Sequence, residues 1–261
     1  MKTLVLLEVR RALSRRLVRV LIVLALIGIG VVGAVAFREA GRNATTDPFA
    51  LTSLWPEPVE DALLAPAAAV LALAGLVAGA SVIGAEWRAG TMPLLLTWEP
   101  RRQRVLTAKA MATFLTAVVV AAALQVLFVA ALVPAAALRG TMDGVDLAWT
   151  GELTMAGLRI ALLTGAASTT GFALAAIGRN TTVALGVAFA QLNLVENLLR
   201  GLRPGWSGWL IGENATIFLT NAALRTMPVE RSTLGAALVL ATYTMGLLAV
   251  ALALFRQRDV V

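Results

Sequence analysis

Six long apolar stretches, separated by short polar or charged segments, dominate the pattern of this 261-residue chain. Each is long enough, at about 1.5 Å per helical residue, to cross roughly 30 Å of hydrocarbon. Because a bilayer offers no partner to unpaired backbone groups, all six are predicted to be helices. The spans are predicted near residues 20–37, 63–83, 110–133, 160–177, 181–199 and 234–255. The pattern therefore predicts an all-α membrane protein with a single transmembrane domain over residues 1–261.

Two segments outside the spans are also predicted to be helical. Residues 4–19 place apolar side chains on one face and charged ones on another, which predicts an interfacial helix lying on the membrane surface. The apolar face consists of Leu6, Val9, Leu13 and Leu17. A basic leader that only sets topology is the alternative. Residues 201–233 are too apolar for a solvated loop but are interrupted by Gly, Pro and Asn, so they predict short external helices before the sixth span, or else a packed external loop.

Composition narrows the chemistry that the chain can perform. Hydrophobic residues make up 59% of it, and it contains neither cysteine nor histidine. Thiolate chemistry, haem ligation and most zinc sites are therefore excluded, and no metal site is predicted. Lysine occurs only at Lys2 and Lys109, and neither follows a glycine. A phosphate-binding P-loop requires Gly-Lys, so the chain is not expected to hydrolyse nucleotide by that route.

The charge distribution predicts the orientation. Most of the 22 lysines and arginines lie on the side that holds both termini, the 84–109 loop and Arg179, whereas the acidic residues concentrate on the other side. The positive-inside rule then places both termini in the cytoplasm. The same rule accounts for the net charge of +7 without a nucleic-acid partner. The arginine- and alanine-rich composition indicates a bacterial source, so the predicted location is the bacterial cytoplasmic (inner) membrane.

The loop between the second and third spans carries the most information about function. It begins with Glu86-Trp87-Arg88, continues through Gly90 and Thr91 to an apolar patch, and then becomes strongly basic before Lys109. We expect two short helical pieces, with a bend at Gly90 and Thr91 as the N-cap of the second. An amphipathic piece that merely rests on lipid is the alternative.

Glu86-x-x-x-Gly90-Thr91, followed by the apolar patch, the arginine cluster and Lys109, resembles the permease subunits of type-2 ABC exporters. The basic N-terminal helix, the six-span layout and the basic C-terminal end are similar as well. The resemblance implies a coupling helix between the second and third spans that docks on a separate ABC-type ATPase. The coupling residues it implies are Glu86, Trp87, Arg88, Gly90, Thr91, Leu94 and Leu95.

The resemblance also implies the partners. Two permeases would form the translocation path, either as two copies of this chain or with a similar permease chain, embedded in membrane lipids. No cofactor is expected in this chain, because ATP and Mg would bind to the partner ATPase. We expect Glu86 and Arg88 to pair with charges on that ATPase. The alternative function is an ATP-independent secondary transporter or channel, and the transported substrate is not predicted.

Polar residues near the end of the fifth span form a second candidate site. Gln191, Asn193, Glu196 and Asn197 recur at helical spacing, and ionisable groups at such depth are costly and often functional. They are candidates for lining the translocation path or the dimer seam. The interpretation that we favour is a simple Glu196–Arg200 pair that reaches the membrane interface.

Overall fold

The computed structural model describes residues 2–40, 64–91, 102–140, 142, 145–220 and 231–257, and all regular structure in these residues is helical. The first five helices are α1 (Lys2–Ser14), α2 (Arg16–Glu39), α3 (Leu64–Arg88), α4 (Arg102–Arg139) and α5 (Leu147–Gly178). The sixth, α6 (Thr181–Phe189), continues through a π turn (Ala190–Val195) into α7 (Glu196–Leu202). A 3-10 turn (Pro204–Trp209), α8 (Ile211–Thr220) and α9 (Thr233–Gln257) complete the described elements.

Six of these helical segments are long and apolar enough to cross a membrane, which confirms the six predicted spans. They are α2, α3, α4, α5, the continuous segment α6–α7, and α9. Two helices begin earlier than predicted. Helix α4 starts at Arg102 rather than near residue 110, and α5 starts at Leu147 rather than near residue 160.

The early start of α5 has a local cause. The Asp146 carboxylate accepts a hydrogen bond of 2.7 Å from the Trp149 backbone amide, which caps the first turn of the helix. Residues 147–159, which precede the predicted start of the fourth span, are therefore helical.

Helix α1 packs one face against the rest of the protein. Glu8 and Ala12 are buried, whereas Leu6 and Leu13 are exposed. The helix ends at Ser14, because Arg15 adopts an extended conformation, and α2 begins at Arg16. The predicted helix 4–19 is thus divided, and its last residues belong to the first span.

The centre of the bundle is the close contact between α5 and α3. Gly75 and Gly79 of α3 face Thr164 and Ser168 of α5, so that small residues spaced four apart meet on both helices. A methyl group at Gly79 would collide with the Ser168 carbonyl oxygen, and one at Gly75 would lie 2.8 Å from the Thr164 carbonyl oxygen. Membrane helices associate through such small residues, because these let the backbones approach closely.

The bundle has two ends with different packing. At one, here called the basic end, Trp87 of α3 packs with Ile83, Leu106 of α4 and Phe255 of α9. At the other, called the far end, Arg139 of α4 donates a hydrogen bond to the backbone carbonyl of Phe37 in α2. The Arg139 guanidinium also lies 4.3 Å from the centre of the Phe37 ring. Helix α2 is the least buried of the six spans and packs mainly on α4.

Candidate functional site

A buried lysine connects three helices at the basic end. The Lys109 Nζ atom of α4 lies 2.8 Å from Glu8 Oε2 of α1 and 2.9 Å from Glu86 Oε1 of α3. Only 1% of the Lys109 side chain is exposed, and Glu8 is buried with it. A lysine is almost never fully buried unless it is paired, and here it has two carboxylate partners.

Two arginines complete this group. Arg15 donates from Nη2 to Glu86 Oε1 at 3.0 Å and from Nη1 to the Ser81 carbonyl at 3.0 Å. Arg11 donates to Glu8 Oε1 at 2.9 Å. Arg15 occupies the break between α1 and α2, so the extended residue that separates these helices also holds the end of α3. The five residues Glu8, Arg11, Arg15, Glu86 and Lys109 are called the junction cluster below.

The junction cluster stabilises the fold only when all of its charged residues are present. Burying an ion is expensive, and mutual attraction offsets that cost only when every charge has a close partner. Removal of Lys109 would leave buried Glu8 and half-buried Glu86 without their shared cation. Glu86 Oε2 is buried without a hydrogen-bond partner, so this oxygen is the one unsatisfied position of the cluster. The cluster therefore holds α1, α3 and α4 together at one point.

Trp87 connects the junction cluster to the remaining helices. Its ring meets the Phe255 ring of α9 edge to face, with 6.3 Å between centroids. The Arg179 guanidinium lies 4.6 Å from the centre of the Trp87 ring, a cation–π geometry. Arg179 follows α5 in the left-handed region, with φ of 53°. The ends of α3, α5 and α9 thus meet at one indole ring.

The structure revises the predicted coupling segment in two respects. Glu86, Trp87 and Arg88 form the last turn of α3 and not a separate short helix. The expectation that Glu86 pairs with a charge on another chain is also replaced, since its Oε1 atom binds Arg15 and Lys109 of the same chain. Trp87 packs inward on the core of the basic end.

The outward-facing part of this segment begins at Arg88. Arg88, Gly90 and Thr91 are exposed, and Gly90 makes the expected bend with φ of 64°. The Thr91 hydroxyl donates to the Glu86 carbonyl at 3.4 Å, while the amides it was expected to cap lie outside the described residues. Leu94 and Leu95 lie outside them as well.

In the second candidate site, Glu196 caps a helix instead of pairing with Arg200. Its Oε1 atom accepts from the Ile211 amide at 2.8 Å, and its Oε2 atom accepts from the Gly212 amide at 3.0 Å. These are the first amides of α8, where a carboxylate is favoured by unpaired N–H groups and by the helix dipole. Arg200 forms its ion pair with Glu213, at 2.8 Å. The favoured prediction of a Glu196–Arg200 pair is therefore wrong.

The other polar residues of the fifth span do not share the environment of Glu196. Glu196 is 2% exposed, whereas Asn193 and Asn197 are exposed and donate to backbone carbonyls four residues earlier. Gln191 is half-buried. The π turn at Ala190–Val195 changes the helical phase between Gln191 and Glu196, so the polar stripe is divided. Within one chain, these residues do not converge on a single site.

A polar network that the sequence did not reveal holds α8 in place. Asn214 is fully buried, donates to the Gly208 and Leu210 carbonyls, and accepts from Arg231 at 3.0 Å. Arg231 also lies 5.3 Å from the centre of the Trp209 ring. The apolar and Gly-rich character of 201–233 indicated order there, but not these contacts. The far end is thus fixed by Glu196, Glu213 and Asn214 together.

Comparisons with known proteins do not identify a family: the chain matches no family model and no curated protein sequence. The junction cluster and the exposed segment beside it are therefore the observations from which a function can be argued.

Proposed function

We propose that this chain is the membrane-spanning subunit of an ATP-driven exporter of the type-2 ABC class. In this proposal, two copies, or this chain and a similar permease, form the translocation path, and each docks on a separate ATPase subunit. The protein lies in the bacterial inner membrane with both termini in the cytoplasm, so the basic end faces the cytoplasm. ATP and Mg bind to the partner, in agreement with the lack of Gly-Lys in this chain.

The observation that carries the proposal is the position of the junction cluster directly behind an exposed segment. Arg88, Gly90 and Thr91 are exposed at the basic end, and Glu86, two residues before Arg88, is fixed to Arg15 at the break between α1 and α2 and to Lys109 of α4. A displacement applied to the exposed segment would reach three helices at once, because separating them would leave buried charges unpaired. ATP-driven movement of a docked motor requires such rigid transmission.

The proposed coupling residues have two different roles, according to whether they are exposed or packed inside the protein. Arg88, Gly90 and Thr91 are accessible to a partner, with Leu94 and Leu95 as the proposed apolar contacts. Glu86 and Trp87 act from inside, by fixing the end of α3. An exposed ion pair at Arg88 would contribute only about 0–1 kcal/mol. Docking therefore rests mainly on shape and on buried apolar area.

The alternative, a secondary transporter or channel, has less support. A proton- or ion-coupled carrier is expected to bury ionisable groups near the middle of the membrane. In the described part of the chain, the buried charged residues lie at the two ends of the bundle: Glu8 and Lys109 at the basic end, Glu196 and Glu213 at the far end. An external motor explains this arrangement better than an ion-driven mechanism.

Co-purification tests the proposal. The tagged protein, extracted gently from native membranes, is expected to retain an ABC-type ATPase in stoichiometric amount. Exchange of residues 88–91 for a Gly-Ser linker of equal length should release the ATPase, while the same exchange at the exposed far-end residues 201–203 should not. A preparation without any ATPase, under conditions that preserve known complexes, would favour the secondary transporter.

A further inference from the structure

A deep apolar crevice runs along the inner side of α2. It has a volume of about 550 Å³ and lies between α2 and the three helices α3, α4 and α5. Its walls extend from Val18 and Val82 near the basic end to Pro66 and Phe128 towards the far end. Small-molecule sites commonly occupy about 300–1,000 Å³, so the crevice is large enough for an organic ligand.

Three buried polar atoms of α4 lack a hydrogen-bond partner, and the residues that carry them all line this crevice. The atoms are Thr113 Oγ1, Thr116 Oγ1 and Gln125 Oε1. Their residues are only 4%, 8% and 7% exposed. Buried polar groups in native proteins are nearly always satisfied, so three orphaned atoms along one cavity call for an explanation.

Local geometry does not account for these orphaned hydroxyls. Elsewhere in the bundle, a helical threonine bonds to the carbonyl four residues earlier: Thr107 donates to Gln103, and Thr164 donates to Ile160. Thr113 and Thr116 make no such bond. Gln125 uses its amide nitrogen on the Ala121 and Gly157 carbonyls, which leaves its oxygen free to accept. Two hydroxyl groups and one amide oxygen are therefore left without hydrogen-bond partners.

The shape and charge of the crevice restrict what can fill it. Every described residue that lines it is uncharged, and most are aliphatic. Thr116 and Gln125 are separated by about 14 Å along α4, at roughly 1.5 Å per residue. Helix α2 has few contacts with α3, so the crevice can be reached from the side. These features exclude a small ion and favour a long, neutral, mostly apolar molecule from the bilayer.

We propose that the crevice is a binding site for a neutral long-chain amphiphile. The hydroxyl groups of its polar head bond to Thr113 and Thr116, and its apolar body lies between α2 and α3 and extends past Gln125. Thr113 is about one helical turn from Lys109, so polar groups near the head of the molecule would lie close to the basic end. The site does not depend on the proposed exporter function, because a resident lipid and a transported compound share this chemistry.

Photolabelling of the full-length protein in phosphatidylcholine nanodiscs tests the site. The probe is a monoacylglycerol whose hexadecyl chain carries a diazirine, and the control probe is the corresponding alkane without hydroxyls. We expect saturable labelling of α2 and α4 by the first probe and weaker, non-saturable labelling by the second. Equal labelling by both probes, or non-saturable labelling by both, would overturn the proposal.

Isosteric variants separate binding from stability. The double variant Thr113→Val/Thr116→Val removes two orphaned hydroxyls, so we expect it to melt no lower than the wild type while its affinity for the probe falls about 3- to 10-fold per lost hydrogen bond. Thr164→Val, in the same crevice, removes a hydroxyl that is already bonded and should leave the affinity unchanged. A double variant that loses stability but not affinity would mean that the hydroxyls are structural and would refute the site.

A second measurement identifies the source of the ligand. With the ATPase subunit reconstituted, displacement of the probe by ATP and stimulation of hydrolysis would identify the amphiphile as cargo. Labelling that is unaffected by nucleotide would identify it as a resident lipid. Both results support the site, and neither bears on whether an ATPase co-purifies.

Discussion

The ammonium of Lys109 lies 2.8 Å from the carboxylate of Glu8, although 101 positions separate the two residues in the chain. This contact makes α1 an integral part of the bundle. On α1, Leu6 is 58% exposed and Leu7 and Leu13 are exposed as well, whereas Glu8 and Ala12 are buried against protein. In a membrane protein this arrangement is reasonable, because lipid can cover the apolar face while charges need protein partners.

Replacement of Lys109 by methionine should destabilise the protein strongly. The substitution keeps most of the side-chain volume but leaves buried Glu8 and half-buried Glu86 without their common cation. Breaking a buried pair in this way costs about 3–5 kcal/mol. Thermal unfolding in detergent, followed by tryptophan fluorescence, should show a clearly lower midpoint for Lys109→Met.

Two further variants identify charge as the cause. Arg88→Gln, on the exposed side of the same region, should unfold like the wild type. The triple variant Glu8→Gln/Glu86→Gln/Lys109→Met removes the carboxylates together with the cation and should recover part of the lost stability. A triple variant as unstable as Lys109→Met would show that packing, not charge, explains the effect.

Gly79→Ala should disrupt the contact between α3 and α5. The added methyl group would meet the Ser168 carbonyl oxygen, so the two helices would have to separate. Overpacking of this kind costs about 1–3 kcal/mol. Gly186→Ala is the matched control, because no atom lies within 4 Å of its added carbon and alanine favours the helix. The comparison uses the midpoint of thermal unfolding, and equal midpoints would contradict the packing described here.

Glu196→Leu should release the first turn of α8. The Ile211 and Gly212 amides would lose their acceptor, so their hydrogen exchange should become faster, whereas Glu196→Gln keeps one oxygen and should have a smaller effect. Exchange at these amides can be followed by mass spectrometry, with exposed Glu152→Gln as the control. Unchanged exchange in Glu196→Leu would refute the capping role. Normal transport by a folded Glu196→Gln variant would exclude a role of the charge in the translocation path.

Arg179 tests the balance between backbone conformation and the contact with Trp87. The left-handed conformation of Arg179 destabilises the folded state by about 1–2 kcal/mol. Its cation–π contact with Trp87 stabilises the folded state by roughly 0.5–1 kcal/mol. Arg179→Ala loses the contact and keeps the strain, whereas Arg179→Gly loses both. The glycine variant should therefore unfold at a higher temperature than the alanine variant. The opposite order would show that the φ value is not a source of strain.

The six spans could be predicted from hydropathy, but some of their ends could not. The predicted start of the third span, near residue 110, lies after the start of α4 at Arg102. A lysine such as Lys109 normally marks the end of a hydrocarbon-spanning segment, which is why the prediction begins after it. Its charge is neutralised by Glu8 and Glu86, which come from distant parts of the sequence. The start of α5, by contrast, carries a local signal in Asp146, since aspartate is a preferred N-cap.

The same distinction applies to the candidate site. The bend at Gly90 depends on one residue and is predicted correctly, whereas the inward orientation of Glu86 depends on Arg15, 71 positions away, and on Lys109. Gly75 and Gly79 form a visible small-residue pattern in the sequence, but only the fold shows that Thr164 and Ser168 oppose them. Spacing along a helix identifies a face, and tertiary structure decides what that face contacts.

The π turn at Ala190–Val195 makes the length of the fifth span as important as its composition. Each helical residue advances the side-chain direction by about 100°. Deleting one residue from the turn would rotate Glu196 away from Ile211 and Gly212, and every side chain after it would face a new neighbour. The shortened helix would still be apolar and still long enough to cross a bilayer. The contacts between this helix and α8 at the far end would nevertheless differ from those observed. Insertions and deletions, which surface loops usually tolerate, should therefore be harmful within this span even where substitutions are not.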